Sequence, residues 1–343
     1  MKTVLSTLFL LLLLSAAGIG GFGFLQYQKF SKQTVGESAP DSFEIKKGSN
    51  IKRVAADLES AGIIKPAWQF QLLAKVKKQE NKIKAGEFSI EPGMTAEAVL
   101  DRFVSGRTIS FNSSIVEGFQ FRELVKKIKS DPNLVQTLSD ADYADIMNKI
   151  GSKHKNPEGW FFPDTYNYPS GTTDLDFLKR SHQAMQDYLN EQWEQRDKSV
   201  PLKTPYEALI LASIVEKETG VPEERPLIAQ VFHNRLKKGM MLQTDPTIIY
   251  GMGERFKGNI RKSDLRRDNP YNTYKRTGLT PTPIATPSAE AIKAVLHPEP
   301  SKAFYFVARG DGTSHFSKTY REHRKAVIKY QLGGNSKKYT GDK

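Results

Sequence analysis

An uncharged, strongly apolar segment at the N-terminus constrains this chain more than any other feature of its sequence. No charged residue lies between Lys2 and Lys29, and the stretch from Val4 to Phe24 is almost wholly apolar. A helix of about 20 residues, rising about 1.5 Å per residue, spans the roughly 30 Å hydrocarbon core of a bilayer. We therefore predict a single transmembrane helix over residues 4–25, preceded by a cytoplasmic tail of residues 1–3.

A cleaved signal peptide is the alternative interpretation, because "SAAG" (Ser15 to Gly18) has the small residues of a cleavage site. The apolar stretch continues past this point to Leu25, which exceeds the about 7–15 residues of a usual signal-peptide core. We therefore favour an uncleaved anchor in the cytoplasmic (inner) membrane, with the rest of the chain on the periplasmic side. Lys29 and Lys32 run slightly against the positive-inside rule, but a large translocated domain weakens that rule.

The composition narrows the chemistry open to the rest of the chain. With 343 residues, of which 38% are hydrophobic, the chain is long enough for two or three folded domains. The absence of cysteine excludes thiol nucleophiles and cysteine-based zinc sites. The six histidines are scattered and form no HExxH pattern. We therefore expect no metal site and no cofactor.

The net charge of +13 predicts affinity for an anionic partner. Nucleic acid is disfavoured because the basic residues are dispersed, no recognised nucleic-acid motif occurs, and an anchored chain faces the wrong compartment. Anionic lipid headgroups and the acidic polymer of the cell wall remain as candidates. A basic surface without a specific partner is the plain alternative.

A polar, turn-rich linker over residues 26–41 is expected to precede a compact unit over residues 42–107. In this unit, "SFEI" and "GEFSI" have the alternation of strands, and helices are predicted to begin near Ser49, Pro66 and Thr95. The predicted order is strand, helix, helix, strand and helix. The second helix is expected to bury four apolar side chains, Trp68, Leu72, Leu73 and Val76.

Residues 108–330 mix strand-like and helical patterns, which predicts a second domain of the α+β class, followed by a polar basic tail over residues 331–343. Its segment "NPEGWFFPDTYNYPSG" (Asn156 to Gly171) is predicted to be an ordered loop. One interpretation is a loop held by its own aromatic side chains. The other is a carbohydrate-binding wall, with Tyr166 as a substrate contact, because aromatic faces pack against sugar C–H groups.

The stretch "ASIVEKETG" places two glutamates near the end of a predicted helix over residues 205–219. Thr204, Pro205 and Glu207 form a capping signature at its start, and Gly220 predicts its end. At about 100° per residue, Glu218 lies on the apolar stripe, whereas Glu216 lies almost opposite. We therefore expect Glu216 to be a surface charge and Glu218 to be buried.

Burial disfavours the charged form of a carboxyl group, so a buried Glu218 would have a raised pKa and could donate a proton near neutral pH. The alternative is that the last turn of the helix emerges into solvent, in which case position on the stripe means little. Helix phase therefore makes Glu218 a candidate catalytic acid without excluding a solvated charge.

Two further segments contain candidate binding residues. "MLQTDPTIIYGMG" follows a helical hairpin and is expected to place polar side chains on a turn. "DNPYNTYKRTGLTPTPIATP" is a loop of about twenty residues, and loops of that length in compact domains are usually functional. The candidates for sugar contacts, or for supporting the residues that make them, are Gln243, Thr244, Asp245, Asn272 and Tyr274.

A family resemblance runs through these segments in order. "PEGWFFPDTY", "ASIVEKET", "LQTDPTIIYGMG" and "FYFVARGDGTSHFS" resemble the corresponding strings of the endolytic murein transglycosylases, the MltG or YceG-like family. The likeness extends from the N-terminal anchor to about residue 323. "GLTPTPI" (residues 278–284) departs from the "GLPPGPI" usual in that family.

The resemblance implies a fold, a reaction and a role for Glu218. Members have a membrane anchor, a small LysM-like domain and a catalytic domain, and the second glutamate of their "EKET" string is catalytic. By resemblance, the substrate is the glycan strand of peptidoglycan, cut within the strand at the bond from N-acetylmuramic acid to N-acetylglucosamine to leave a 1,6-anhydro end. A penicillin-binding protein of the wall-synthesis machinery is the implied partner, and termination of growing strands the implied role.

Two other classes of function remain open. A muramidase that admits water needs a second carboxylate near Glu218, and Asp245 is the best candidate. A non-enzymatic protein that binds the wall or a wall synthase would use its LysM-like unit, and the helix glutamate would be incidental. The products formed from peptidoglycan separate these possibilities.

Overall fold

The computed structural model describes residues 21, 23 and 25–339. The predicted cytoplasmic tail, most of the predicted transmembrane helix and the last four residues of the basic tail lie outside the described residues. No helix within the described part of the chain is both long enough and apolar enough to cross a membrane. The chain divides into two compact units, the first ending at Phe111 and including Asn167–Thr172, and the second comprising Asn112–Tyr166 and Thr173–Lys343.

An antiparallel pair of strands with helices around an aromatic core forms the first unit. Ser42 pairs with Ser89 and Ile45 with Gly86, so the two strands are in register over their full length. The rings of Phe43, Phe70 and Phe88 all contact Phe103. The predicted order of strands and helices is confirmed. The elements are α1 (residues 25–31), β1 (Ser42–Ile45), α2 (Ile51–Ser60), α3 (Ala67–Val76), β2 (Gly86–Ser89) and α4 (Ala96–Ser105).

Part of the segment predicted to be a linker belongs to this core. Phe30 and Val35 are 4% and 3% exposed. The backbone N–H of Val35 donates to the carbonyl of Met94 at 2.8 Å, and Thr34 bridges to Thr95. The polar composition of residues 26–41 concealed these two buried side chains.

Helix α3 buries a different face from the one predicted. Its buried residues are Phe70, Leu73 and Ala74, whereas Trp68, Leu72 and Val76 are 59%, 42% and 54% exposed. The prediction was wrong for these three because α3 has apolar residues on two faces. Residues spaced by three or four share a face, so one set lies on the core and the other faces outward.

The second unit is built around α9, which contacts α8, α10, α11 and α13. All side chains from Ala208 to Val215 are buried. Its helices are α5 (Phe121–Lys129), α6 (Asp140–Ala144), α7 (Ile146–Lys149), α8 (Asp174–Gln195), α9 (Pro205–Glu218), α10 (Arg225–Lys237), α11 (Asp245–Met252), α12 (Lys262–Arg266), α13 (Ala289–Leu296) and α14 (Tyr320–Tyr330).

The strands of the described chain form three two-stranded sheets, so the fold is of the α+β class, as predicted. β3 (Ser110–Ser114) pairs with β4 (Thr165–Pro169), and the chain passes between the two units within these strands. β5 (Tyr305–Ala308) and β6 (Ser314–Ser317) form an antiparallel hairpin. Short 3₁₀ turns cover Pro222–Glu224, Gly253–Arg255 and Ser336–Lys338.

Strand β4 lies in the segment that was predicted to be entirely loop. Tyr166 and Tyr168 are buried while their neighbours Thr165, Asn167 and Pro169 are exposed, which is the alternation of a strand with one face on a core. The flanking prolines suggested a loop instead. Between Asp131 and Ile150 the structure has only the short helices α6 and α7.

Candidate active site

Helix α9 carries the proposed catalytic residue at its last position. Thr204 caps its start by accepting a hydrogen bond from the backbone N–H of Glu207 at 3.2 Å, and Pro205 is the first helical residue, as predicted. The helix ends at Glu218, one residue earlier than predicted. Thr219 is extended, so the end is not a left-handed glycine cap.

Glu218 is half-buried, and its surroundings favour the protonated form of its carboxyl group. Burial and the nearby charge of Asp245 raise the pKa of Glu218. A hydrogen bond from the hydroxyl of Thr244 to its Oε2 and the charge of Arg235 act in the opposite direction, without cancelling the rise. The rise in pKa is in the direction expected from helix phase.

Glu216 is not a surface charge, and that prediction was wrong. Its side chain is 7% exposed, and its Oε1 lies 3.4 Å from Nη2 of Arg225. Its Oε2 accepts hydrogen bonds from the backbone N–H and the hydroxyl of Ser288, at 3.0 and 2.5 Å. Glu216 therefore connects α9 to the start of α10 and to the N-cap of α13. The face of α9 opposite the apolar stripe is covered by these two helices, which the sequence pattern did not reveal.

The segment before α11 brings Thr244 and Asp245 to Glu218. Gln243 has a positive φ of 51°, and its backbone N–H donates to the carbonyl of Thr273 at 3.1 Å. The N–H of Thr244 donates to the hydroxyl of Thr273 at 3.1 Å, which fixes the threonine beneath Glu218. Thr244 is buried, whereas Gln243 and Asp245 are exposed. The hydroxyl is therefore held by the fold, and the other two side chains are open to a ligand.

The long loop over residues 268–287 supplies Tyr274. Its hydroxyl donates to Oδ1 of Asp245 at 2.7 Å, and burial raises the pKa of this tyrosine. Asn272 is buried, and its amide donates to the carbonyl of Arg267 at 2.7 Å while its Oδ1 accepts from the N–H of Tyr274 at 2.9 Å. Asn272 therefore shapes the loop that presents Tyr274.

Tyr166 lies apart from these groups. It is 5% exposed, its hydroxyl donates to the carbonyl of Phe162 at 2.8 Å, and its ring packs edge-on against Phe177. Of the seven predicted site residues, the structure brings together Glu218, Gln243, Thr244, Asp245, Asn272 and Tyr274.

Two residues of the site were not predicted. Arg235 is buried, and its guanidinium donates to the carbonyls of Phe304 and Leu242 at 2.7 and 2.8 Å, so its charge is held near Glu218. It falls on the apolar stripe of α10, and a charge at such a position is a recognisable signal. Thr273 accepts a hydrogen bond from the backbone N–H of Thr244. The one signal for it in the sequence is its position between the two candidates Asn272 and Tyr274.

The arrangement provides one carboxyl group with a raised pKa, a neighbouring hydroxyl donor, and an exposed carboxylate held by a tyrosine. Such a carboxyl group can protonate a leaving-group oxygen and then accept a proton in its ionised form. Within residues 25–339, no cluster of three or more histidine, aspartate or glutamate side chains has the geometry to hold a metal ion. The chemistry that Glu218 and its neighbours support is general acid and base catalysis.

Residues 43–329 match the YceG-like family. A protein of Bacillus subtilis (strain 168) named endolytic murein transglycosylase is 32% identical to this chain, over 95% of this chain and 93% of the relative. A protein of the same name from Streptococcus pneumoniae (strain D39) is 29% identical over 95% of this chain, which spans 65% of that relative. A YceG-like protein from Listeria monocytogenes with a crystal structure is 29% identical to this chain, and the two structures match with a TM-score of 0.52. The match covers 83% of this chain and 97% of the Listeria chain.

Proposed function

This chain belongs to the YceG-like family, and we infer that it is an endolytic murein transglycosylase that cuts the glycan strands of peptidoglycan. The observation that carries the catalytic assignment is the position of Glu218, whose carboxyl group is half-buried and has a raised pKa beside Thr244 and Asp245. A transglycosylase of this class needs one group that first donates and then accepts a proton. Glu218 is suited to both steps.

We propose that the reaction proceeds at the β-1,4 bond from N-acetylmuramic acid to N-acetylglucosamine. The protonated carboxyl of Glu218 donates its proton to the glycosidic oxygen as the bond to C1 of the muramic acid breaks. The resulting carboxylate then accepts the proton of the C6 hydroxyl, whose oxygen bonds to C1 and closes a 1,6-anhydro ring. No water is consumed, so no second carboxylate has to activate one.

The neighbours of Glu218 support this sequence of steps. Burial and Asp245 favour the protonated form that the first step needs. The hydroxyl of Thr244 donates to the carboxylate that the second step needs. We propose that Gln243, Asp245 and Tyr274 contact the sugars, because two are exposed and the third is fixed to Asp245. Thr244 and Asn272 act by positioning the other groups.

A hydrolytic muramidase is the second candidate, and Asp245 is the observation that favours it. Its charge lies close enough to Glu218 to raise the pKa of that group, and its side chain is exposed. A glycosidase that retains or inverts configuration uses two such carboxyl groups. The two reactions differ in their products, because hydrolysis leaves a reducing end where the transglycosylase leaves an anhydro end.

Mass spectrometry of digested peptidoglycan tests both candidates. The full chain, purified in detergent, should release strands that end in 1,6-anhydro-N-acetylmuramic acid, and Glu218→Gln should abolish their release. Glu254→Gln is a matched control, because Glu254 is an exposed glutamate outside the site, and it should leave the products unchanged. Reducing ends in place of anhydro ends would establish the muramidase. Binding without cleavage would support the non-enzymatic alternative.

We further propose that residues 4–25 anchor the protein in the cytoplasmic membrane, with both units on the periplasmic side. The apolar N-terminal sequence supports an anchor. The exposed apolar side chains of Leu25, Trp68 and Leu72 support a membrane-proximal position for the first unit, since tryptophan favours membrane interfaces. An anchored enzyme would lie where glycan strands are made, which is consistent with a role beside a penicillin-binding protein in terminating them.

We propose that the first unit is a LysM-like module for peptidoglycan. Its order of strand, helix, helix and strand over Ser42–Ser89 supports this, as does the antiparallel pairing of the two strands. A binding module on the same chain would raise the local concentration of glycan at the catalytic unit.

A further inference from the structure

The second unit contains a groove at the opposite end of α9 from Glu218. It consists of two cavities of about 430 and 410 Å³, both lined by Tyr206, and we call it the Tyr206 groove. The first cavity is also lined by His154, Gln186 and Asn190, and the second by Leu279 and Pro281. Cavities of this size accommodate small ligands or segments of a polymer.

A stack of three aromatic rings forms one wall of the groove. The centroids of His154 and Trp160 lie 4.0 Å apart, and the ring of Tyr206 is tilted by only 5° from that of Trp160 at 5.7 Å. Trp160 is 3% exposed and holds the other two rings, which are partly exposed. Flat aromatic surfaces of this kind pack against the C–H faces of sugar rings.

Two amide side chains face the same cavity from α8. Gln186 and Asn190 are four residues apart, hence neighbours on one face of the helix, and both line the cavity. The buried indole N–H of Trp160, which also lines this cavity, has no hydrogen-bond partner within residues 25–339. An amide both donates and accepts hydrogen bonds. Amide side chains that line a cavity beside an aromatic wall suit the hydroxyl and N-acetyl groups of amino sugars.

The groove lies away from Glu218, and helix α9 and the loop over residues 268–287 connect the two places. Tyr206 and Glu218 are twelve residues apart on α9, which corresponds to about 18 Å along the helix axis. The loop over residues 268–287 places Tyr274 beside Asp245 and continues to Leu279 and Pro281 in the groove. This distance is longer than one disaccharide, so a ligand that occupies both places is a strand of several sugars.

From these observations we propose that the Tyr206 groove binds an N-acetylated glycan strand at a distance from the bond that Glu218 cuts. The inference rests on the proposed function and adds a second point of attachment for the same substrate. Because the strand is held on one side of the cleavage site over several sugars, cleavage falls within the strand and not at its end. Short oligosaccharides that reach only Glu218 would bind without the groove.

Binding to peptide-free glycan tests the proposal. The probe is a fluorescently labelled long glycan strand from which an amidase has removed the stem peptides, and the protein is the full chain with Glu218→Gln, so that nothing is cut. Adding Gln186→Ala with Asn190→Ala, or Tyr206→Leu, should weaken Kd for the long strand about tenfold, equivalent to about 1.4 kcal/mol. The Kd for a chitobiose probe, which is one disaccharide long and cannot reach both places, should stay unchanged.

A matched control lies on the same helix. Gln183 is an exposed glutamine of α8 whose amide donates to Asp187 at 2.8 Å, and it does not line the groove, so Gln183→Ala should leave Kd unchanged. In the enzyme that retains Glu218, the double amide variant should raise KM for long strands with kcat unchanged. Equal Tm values confirm that the variants are folded.

The outcomes separate this inference from the proposed function. Unchanged Kd and KM in the groove variants, with cleavage by the parent enzyme intact, would overturn the inference alone. An effect seen only with peptide-bearing strands would mean that the groove binds stem peptide, and the glycan assignment would be wrong. Failure of the parent enzyme to cut any peptidoglycan would instead overturn the proposed function.

Discussion

Glu216 and Glu218 are two residues apart on α9, yet the fold gives their carboxyl groups opposite tasks. Glu216 is buried against the guanidinium of Arg225 and accepts hydrogen bonds from the backbone N–H and the hydroxyl of Ser288. Glu218 is half-buried beside the like charge of Asp245, and both effects disfavour its charged form more than the hydroxyl of Thr244 favours it. A carboxylate paired on all sides is structural, whereas a carboxyl group with a raised pKa is suited to donating a proton.

The two neighbours of Glu218 should move its pKa in opposite directions. Thr244→Val removes the hydroxyl that stabilises the carboxylate, so the pKa of Glu218 should rise and the alkaline limb of kcat/KM should shift to higher pH. Asp245→Asn removes a negative charge that disfavours the carboxylate, so the pKa should fall and the same limb should shift to lower pH. pH profiles of anhydro-end release on one peptidoglycan preparation measure both.

The quantity to compare is the pH at which the alkaline limb of kcat/KM falls, and not the size of kcat/KM, since either side chain can also affect substrate binding. Tyr330→Phe, at a partly exposed tyrosine on α14, serves as a control that should leave the limb in place. Shifts in the same direction for Thr244→Val and Asp245→Asn would show that Glu218 does not set the alkaline limb.

Glu216→Gln should lower stability by about 3 kcal/mol. The amide cannot neutralise Arg225, whose side chain is 10% exposed, and removal of one partner of a buried ion pair leaves the other charge unpaired. Urea unfolding measures the change, and Glu254→Gln, at an exposed position, should cost less than about 0.5 kcal/mol. Equal midpoints for the two variants would mean that Glu216 is solvated after all.

At the scale of elements, local signals in the sequence predicted helices well and their buried faces less well. The capping residues of α9 are next to the helix in the chain, so its start and approximate length were predictable. The partners of Glu216 come from α10 and from Ser288, far along the chain, and no periodicity within α9 reports them. The candidate site was predictable to a similar degree. Helix phase pointed to Glu218, whereas the roles of Arg235 and Thr273 beside it could be recognised only from the folded structure.

Helix α3 gives a direct test of which apolar face belongs to the core. Leu73→Ala should cost about 3 kcal/mol, because Leu73 is fully buried and its truncation leaves a cavity. Leu72→Ala makes the same chemical change at a 42% exposed position on the same helix and should cost under about 1 kcal/mol. Thermal or urea unfolding measures both. A larger loss of stability for Leu72→Ala than for Leu73→Ala would mean that the face of α3 predicted from the sequence is the one that packs on the core.

A second buried carboxyl group, Glu158, joins α5 to α11. It accepts hydrogen bonds from the backbone N–H of Phe121 at 2.8 Å and from the hydroxyl of Tyr250 at 3.0 Å. The next residue, Gly159, has a positive φ, and a Cβ there would lie 2.7 Å from Pro283, so only glycine fits. These contacts explain the "PEG" part of the loop as structural.

Glu158 should make stability depend on pH. Burial raises its pKa from 4.5 to about 7. Between these values the unfolded chain loses a proton that the folded chain keeps, so stability falls as pH rises through this window and levels off above about 7. Glu158→Gln cannot ionise and should remove this fall, which amounts to roughly 3 kcal/mol at most. Unfolding of both proteins at several pH values between 4 and 8 measures it. Parallel stability curves would contradict the raised pKa.

At the scale of the whole molecule, the boundary between anchor and folded protein decides which truncations are useful. The first unit begins before its first strand, since Phe30 and Val35 of the segment predicted to be a linker are buried in its core. Removal of residues 1–24 takes away most of the predicted anchor and leaves these side chains in place. Removal of residues 1–41 takes away both.

The two truncations should therefore behave differently. Residues 25–343 should remain folded, should no longer float with lipid vesicles and should still release anhydro ends, because the site lies wholly in the second unit. Residues 42–343 should lose roughly 3–6 kcal/mol from the first unit, at about 1.5–3 kcal/mol for each of the two buried side chains. Vesicle flotation and thermal unfolding measure the two effects separately.

If residues 25–343 float as well as the full chain, the attachment to membrane comes from the folded units and the predicted anchor is not needed for it. If residues 42–343 are as stable as residues 25–343, the segment before β1 is a linker, because its buried side chains then contribute nothing that the rest of the core does not already supply.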